Sequence, residues 1–242
     1  FEERFCISMK SSYYKYFAAL LLFGFNGIVA SNINLPSYEI VLLRLLLGSL
    51  FLITVFTVSR QRFTFYRNKH TCLYLFISAS AMGASWMLLY EAYQQVGISI
   101  ASLAYYCGPV IVMILSPFLF RETLTWPKIA GFLTVLAGMC LVNLQALDEG
   151  KTIWGLFCGL MSAFMYALMV TANKKAKPES GLENSLLQLV IGSFIVVAFV
   201  SMQKNFVLSL TTIDWIPVLL LGLLNTGIGC YLYFSSITDL PV

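Results

Sequence analysis

The sequence has little charge and a single histidine. Acidic and basic side chains make up 11% of its 242 residues, less than half of the roughly 25% that is usual in soluble domains. Too few charged side chains are present to cover a water-exposed surface, which excludes a soluble protein. His70 alone cannot build a metal site or a histidine-based triad, and the six cysteines are scattered without a C-x-x-C pair. We therefore expect neither a metal nor another cofactor.

The net charge of +4 does not indicate a nucleic-acid-binding protein, because Lys and Arg lie in short clusters between apolar runs. Hydrophobic residues make up 59% of the chain. A helix needs about 20 apolar residues to cross roughly 30 Å of hydrocarbon, and the runs are too long and too uniform for barrel strands. The sequence predicts an all-α integral membrane protein with eight transmembrane helices, at 16–33, 36–58, 71–93, 99–120, 126–144, 153–171, 186–202 and 213–237.

The distribution of basic residues predicts the orientation of these helices. Cytoplasmic loops of membrane proteins carry an excess of Lys and Arg. With the N-terminus inside, twelve basic residues lie in cytoplasmic segments, Lys151 and Lys204 lie outside, and Arg44 lies within a span. The sequence therefore predicts a cytoplasmic N-terminus in a cell (inner or plasma) membrane.

A weak internal repeat is present at a shift of 144 residues. Residues 83–98, "GASWMLLYEAYQQVGI", align with residues 227–242, "GIGCYLYFSSITDLPV". Two pairs are identical, Gly83 with Gly227 and Leu88 with Leu232. The third predicted span runs outward and the eighth runs inward, so a repeated five-helix unit would be inverted, as in many secondary transporters.

Three ordered segments resemble a known family. They are "FGFNGIVAS" at 23–31, "EIVLLRLLLGSLFL" at 39–52, and the stretch 90–143 with Pro109, Glu122, Gly131 and Gly138. The chain resembles the EamA family of the drug/metabolite transporter superfamily. The resemblance implies ten helices in two inverted five-helix repeats around a central substrate pathway. The first repeat is 1–144, with helices one to five. The second is 145–242, with helices six to eight, and the last two helices of the pattern fall beyond Val242.

Two charged residues, Arg44 and Glu91, lie deep in the predicted spans. Arg44 lies about 12 Å and Glu91 about 7 Å from the outer ends of their helices, at 1.5 Å per residue. A charge in hydrocarbon costs about 2.5–3.5 kcal/mol on insertion scales, so a buried pair between the two is one interpretation. Glu91 handling substrate or protons, or reaching the outer interface, are the alternatives.

Polar side chains on helix faces are candidates for substrate contact. Tyr105 shares a face with Ser102 and Pro109, and Tyr166 shares one with Gly159 and Ser162. Tyr231 lies on the face of Ser235, which aligns with Glu91 in the repeat. Asn26 lies within the first span. We expect substrate contacts from Asn26, Tyr105, Tyr166, Tyr231 and Glu91. Core packing is the alternative for the tyrosines and helix association for Asn26, and the alternatives for Glu91 are given above.

These observations favour a transporter over an enzyme. We expect a multi-pass exporter of small polar metabolites that works by alternating access, with export inferred from the family resemblance. An integral-membrane enzyme acting on lipid-linked substrates would need convergent catalytic groups such as H-E-x-x-H, and the sequence has none. A non-transporting scaffold is a third interpretation. The expected partners are a small molecule and the lipid bilayer, not nucleic acid. Proton coupling and the oligomeric state stay open.

Overall fold

The described part of the protein consists of apolar helices joined by short connections. A computed structural model describes residues 2–121, 125–143, 153–202, 215–237 and 240. The predicted boundary between the two repeats, at 144 and 145, lies outside these residues. The helices are α1 (Glu2–Gly24), α2 (Asn26–Ser31), α3 (Ser37–Val58), α4 (Lys69–Tyr105), α5 (Cys107–Phe120), α6 (Trp126–Asn143), α7 (Ile153–Ala176), α8 (Gly181–Ser201), α9 (Trp215–Leu219), a π-helical segment (Leu220–Ile228) and α10 (Gly229–Ser236).

Six helical stretches are long and apolar enough to cross a membrane, which confirms the predicted all-α membrane class. They are Lys10–Ser31, Tyr38–Val58, Lys69–Phe120, Ile153–Ala176, Gly181–Ser201 and Trp215–Ser236. The predicted count of eight differs because the third stretch has 52 residues and contains two predicted spans, 71–93 and 99–120. In addition, α6 occupies the predicted fifth span but is not one of the six stretches. The number of spans and the repeat stay predictions.

Gly97 divides the long stretch at the place where the sequence separates two spans. Its backbone has φ 78° and ψ 163°, a conformation that is essentially restricted to glycine. The helix direction changes there although the chain stays helical on both sides. The break lies between the predicted spans and aims Tyr105 and Pro109 at the same cavity as Trp86.

Many apolar side chains face outward, and many polar side chains face inward. Phe118 and Trp126 are 82% and 80% exposed, whereas Ser78 and Asn184 are fully buried. Both of these buried side chains are hydrogen bonded: Ser78 Oγ donates to Met169 O at 2.9 Å, and the side-chain amides of Asn184 and Asn173 form two hydrogen bonds with each other, at 2.9 and 3.1 Å. This is the arrangement that lipid requires, since a polar group in hydrocarbon must find its partner within the protein.

The centre of the bundle is the crossing of α3 and α8. A Cβ on Gly48 would lie 2.8 Å from Thr226 Cγ2 and 3.2 Å from Leu189 Cδ1. A Cβ on Gly192 would lie 3.0 Å from Met82 Cε and 3.9 Å from Leu45 Cδ2. The two glycines therefore let the helices approach closely.

These contacts are related by one sequence offset. Gly48 and Gly192, Leu45 and Leu189, and Met82 and Thr226 are each separated by the 144 residues of the sequence repeat. Ser49 and Ser193, also 144 apart, are hydrogen bonded to each other at 3.0 Å. Around this crossing α4 packs along α7, and α1 packs along α10.

A polar cluster joins the α3–α4 connection to the start of α8, and we call it the loop clasp (Gln61, Thr64, Phe65, Ser180 and Glu183). The Glu183 carboxylate, 2% exposed, accepts hydrogen bonds from the Thr64 and Phe65 backbone N–H groups and from the Thr64 hydroxyl. Ser180 caps α8 by accepting from Glu183 N, and its hydroxyl donates to Gln61 Oε1 at 3.0 Å. The sequence S-x-x-E is typical of a capping box, yet this glutamate binds a distant loop.

Candidate functional site: the central cavity

A cavity of about 310 Å³ lies among α1, α2, α3, α4, α5, α7 and α10, and we call it the central cavity. This volume is at the lower end of the range of small-molecule sites, which are mostly apolar with a few polar groups. Its walls are mainly aromatic. Seven tyrosines line it, at Tyr16, Tyr90, Tyr93, Tyr105, Tyr106, Tyr166 and Tyr233.

Tyrosines from α1, α4, α7 and α10 form one network of ring and hydroxyl contacts. The hydroxyls of Tyr166 and Tyr233 are 2.9 Å apart, and the Tyr105 ring meets the Tyr166 ring edge-on at 5.4 Å. Tyr16 stacks on Tyr233 at 5.7 Å. A Cβ on Gly108 would lie 2.7 Å from Tyr166 Cδ1, so α5 presses directly on this ring. The aromatic wall is therefore fixed by contacts among five helices, α1, α4, α5, α7 and α10.

Arg44 is the one charged side chain among the described residues that line the cavity. It is 2% exposed. Its Nη1 donates to the Tyr90 hydroxyl at 2.7 Å, and its Nε donates to Thr226 Oγ1 at 2.9 Å. Its Nη2 is buried without a hydrogen-bond partner among the described residues. The cavity thus contains a cation that neutral hydroxyls hold in place.

The aromatic rings offset part of the cost of this cation. The guanidinium carbon lies 4.1 Å from the centre of the Trp86 ring and 5.5 Å from that of Tyr90. A cation–π contact contributes about 0.5–2 kcal/mol, whereas an arginine at the centre of a membrane helix costs about 2.5–3.5 kcal/mol on insertion scales. Stacking and two neutral hydrogen bonds hold Arg44 in place, and no acidic side chain among the described residues that line the cavity balances its charge.

Comparison with known families identifies the fold around this cavity. The model of the EamA-like transporter family matches residues 11–144 and 153–242. The chain belongs to the EamA-like transporter family. The predicted resemblance is confirmed, and the protein is a multi-pass membrane transporter.

Relatives of this EamA-like transporter carry the same general description. "Uncharacterized transporter YxxF" of Bacillus subtilis (strain 168) is 26% identical over 226 residues, which cover 90% of this chain and 71% of the relative. "Uncharacterized transporter in sor 3'region" of Acidianus ambivalens is 26% identical over 132 residues, or 54% of this chain and 51% of the relative. A solved structure titled "Crystal structure of protein" aligns with a TM-score of 0.75 at 18% identity, covering 95% of this chain and 80% of that one. This last likeness shows the fold.

Three of the predicted contact residues of this EamA-like transporter line the central cavity: Asn26, Tyr105 and Tyr166. Asn26 also serves the alternative role predicted for it, helix association. Its Oδ1 accepts a hydrogen bond from Asn225 Nδ2 at 2.9 Å, and the same Nδ2 donates to Leu22 O at 3.1 Å. One amide thus ties the α1–α2 break to the π-helical segment at the cavity wall.

The structure places Tyr233, rather than the predicted Tyr231, at the cavity. The two side chains differ by roughly 200° around an α-helix, so they point to nearly opposite sides. The π-helical segment precedes them, and in it Thr226 Oγ1 donates to Leu221 O, five residues back, at 2.7 Å. A wider helical turn changes which face the following residues present, and a 3.6-residue pattern does not reveal it.

The structure gives Arg44 and Glu91 different partners from those predicted. Arg44 contacts Tyr90, Thr226 and Trp86, while Glu91 Oε1 accepts from Gln95 Nε2 at 3.1 Å. Trp86 and Tyr90 are four residues apart and share a face of α4. Glu91 lies about 100° further round that helix, so Tyr90 takes the place next to Arg44 that was predicted for the carboxylate.

Proposed function

We propose that this EamA-like transporter exports small polar metabolites by alternating access, with the central cavity as the substrate site. The observation that carries the proposal is the cavity itself, which combines an aromatic wall with a cation, an amide and several hydroxyls. Such walls suit a small molecule with an apolar body and one polar end. The export direction rests on the family resemblance.

Alternating access between two inverted halves is supported by the pairs of residues at the α3–α8 crossing. Inverted-repeat carriers move one half against the other around a site at the interface. In the proposed twofold relation, Gly48 corresponds to Gly192 and Thr226 corresponds to Met82. The contact of Gly48 with Thr226 then matches the contact of Gly192 with Met82. The buried carboxylates Glu39 and Glu183, third residues of α3 and α8, have the same 144-residue separation.

The proposed contact groups come from both halves. Asn26, Arg44 and Tyr105 belong to the first half, and Tyr166 and Tyr233 belong to the second. All five line the central cavity. Movement of one half against the other would therefore change the spacing between groups that hold one substrate.

Ser102→Trp is expected to abolish transport, because Ser102 lines the central cavity and an indole would fill much of it. Ser99→Trp is the matched control, since Ser99 is an exposed residue of the same helix. The measurement is a metabolite-release profile of cells that express the full-length protein. Wild type and Ser99→Trp should export the same compounds, and Ser102→Trp should export none at equal membrane abundance. Export by Ser102→Trp at the wild-type rate would contradict the cavity as the site.

The proposed orientation predicts that a reporter fused after Lys177 is cytoplasmic and one fused after Gly150 is external. Lys177 follows the basic end of α7 and has a left-handed backbone, φ 47°. Arg60 and Arg121, with φ 50° and 56°, end α3 and α5, which are predicted to reach the same side. Gly150 lies outside the described residues. Alkaline phosphatase fusions report an external position, and fluorescent-protein fusions report a cytoplasmic one. The reverse result at both positions would rule out this orientation and its inverted repeat.

A further inference from the structure

We propose that Arg44 makes the central cavity selective for small organic anions: the guanidinium binds a carboxylate, and the tyrosine wall holds a flat or apolar body. This inference rests on the proposed function and names its substrate class.

The cavity has an unbalanced positive charge. Arg44 is the one charged residue among the described residues that line it, and both of its hydrogen-bond acceptors are neutral hydroxyls. A buried charge is normally paired with an opposite charge or neutralised. Since arginine stays protonated in proteins, a bound anion is the remaining way to neutralise this site. A cationic substrate would add a second positive charge to the same small volume.

The guanidinium is held by contacts that leave one of its nitrogen atoms without a hydrogen-bond partner among the described residues. Trp86 covers its face at 4.1 Å, Tyr90 occupies Nη1 and Thr226 occupies Nε. Thr226 is itself fixed, because its hydroxyl donates to Leu221 O. Nη2 has no partner among the described residues. A guanidinium fixed in this way is preorganised for a carboxylate, which it binds through planar, charge-assisted hydrogen bonds.

The equivalent position in the other half lacks the charge. Gln188 lies 144 residues after Arg44 and is fully buried. Its Oε1 accepts from Ser78 at 3.2 Å, and its Nε2 is also without a partner among the described residues. The fold thus accommodates a neutral amide at this place in one half and a guanidinium in the other. The positive charge is not required for the helix crossing, which favours a role in binding.

The test uses three ring compounds of similar size and different charge: benzoate, benzamide and benzylammonium. Purified full-length protein is titrated with radiolabelled benzoate, and the other two compounds compete. Benzoate is expected to bind at least tenfold more tightly than benzamide, the effect of one charge-assisted hydrogen bond, and benzylammonium is expected to bind most weakly. Equal affinities for the three compounds, or no saturable benzoate binding, would overturn the proposal without any need of a variant.

Arg44→Gln and Gln188→Met form the matched pair of variants. Arg44→Gln should lower benzoate affinity at least tenfold, to that of benzamide, and Gln188→Met should keep the wild-type preference. An unchanged preference in Arg44→Gln would show that Arg44 is only structural. Ser102→Trp separates this proposal from the proposed function. If it blocks binding of all three compounds and the wild type shows no charge preference, anion selectivity fails and the cavity remains the site.

Discussion

Glu183→Ala is expected to destabilise the protein by about 3–5 kcal/mol, because three hydrogen-bond donors lose one buried carboxylate acceptor. The substitution removes the acceptor of two backbone N–H groups and one hydroxyl at once. Buried donors left without partners cost about 1–3 kcal/mol each, and the three donors here are only partly buried, so solvent reaching the loop reduces their sum. The thermal midpoint of the full-length protein in detergent should fall by about 10 °C, at 2–4 °C per kcal/mol for a chain of this size.

Two further variants show whether the loop clasp causes this effect. Glu183→Gln keeps one carbonyl oxygen as an acceptor and should lose about half as much stability. Glu179→Ala removes an exposed glutamate four residues earlier and should change the midpoint little. Equal losses in Glu183→Ala and Glu179→Ala would contradict the clasp, because the hydrogen bonds from Thr64 and Phe65 go to Glu183.

Gly181→Ala is expected to destabilise the protein by about 3 kcal/mol, the upper part of the range for overpacking. A Cβ on Gly181 would overlap Ser235 Cβ and lie 2.6 Å from Ser235 Cα. The obstacle is backbone and cannot rotate away, so the start of α8 must move from α10. That movement stretches the bond from Asn184 Nδ2 to Phe234 O, now 3.2 Å, and the bond from Ser185 Oγ to Cys230 O, now 3.3 Å.

Gly138→Ala is the matched control for this change. No atom lies within 4 Å of a Cβ built on Gly138, so the added methyl group meets open space. Alanine there should be neutral or stabilising by about 0.5–1 kcal/mol, because glycine costs that much in a helix interior. Thermal unfolding and the yield of monodisperse protein measure both variants. If Gly181→Ala is as stable as Gly138→Ala, the close approach of α8 and α10 is not as described.

The helices and part of the site could be predicted because they depend on local signals. Long apolar runs specify α3, α7 and α8 wherever the chain meets lipid, since every backbone group must be satisfied within the helix. Tyr105 and Tyr166 were predicted from the polar residues on their own helix faces. Both lie on regular α-helix, where a 3.6-residue pattern places side chains correctly.

The rest of the site depends on distant partners and on irregular turns. Thr226, which holds Arg44, is 182 residues away from it, and no local pattern relates the two. The loop clasp joins residues that are separated by 118 and 119 positions in the sequence. The local sequence around Glu183 is instead typical of a helix cap. Tyr233 was missed because the π-helical segment changes the face that follows it.

Under the proposed export of anions, the cation at Arg44 has a consequence for how the membrane potential acts on the transporter. An empty site carries one positive charge, and a site holding a monovalent anion carries none. In the proposed cycle the loaded transporter therefore crosses the field without electrical work at this position, and the field does work on the empty transporter during its return. One elementary charge across 100 mV corresponds to about 2.3 kcal/mol. A membrane that is negative inside draws the empty, positive site inward, so each cycle that releases an anion outside is driven by the potential.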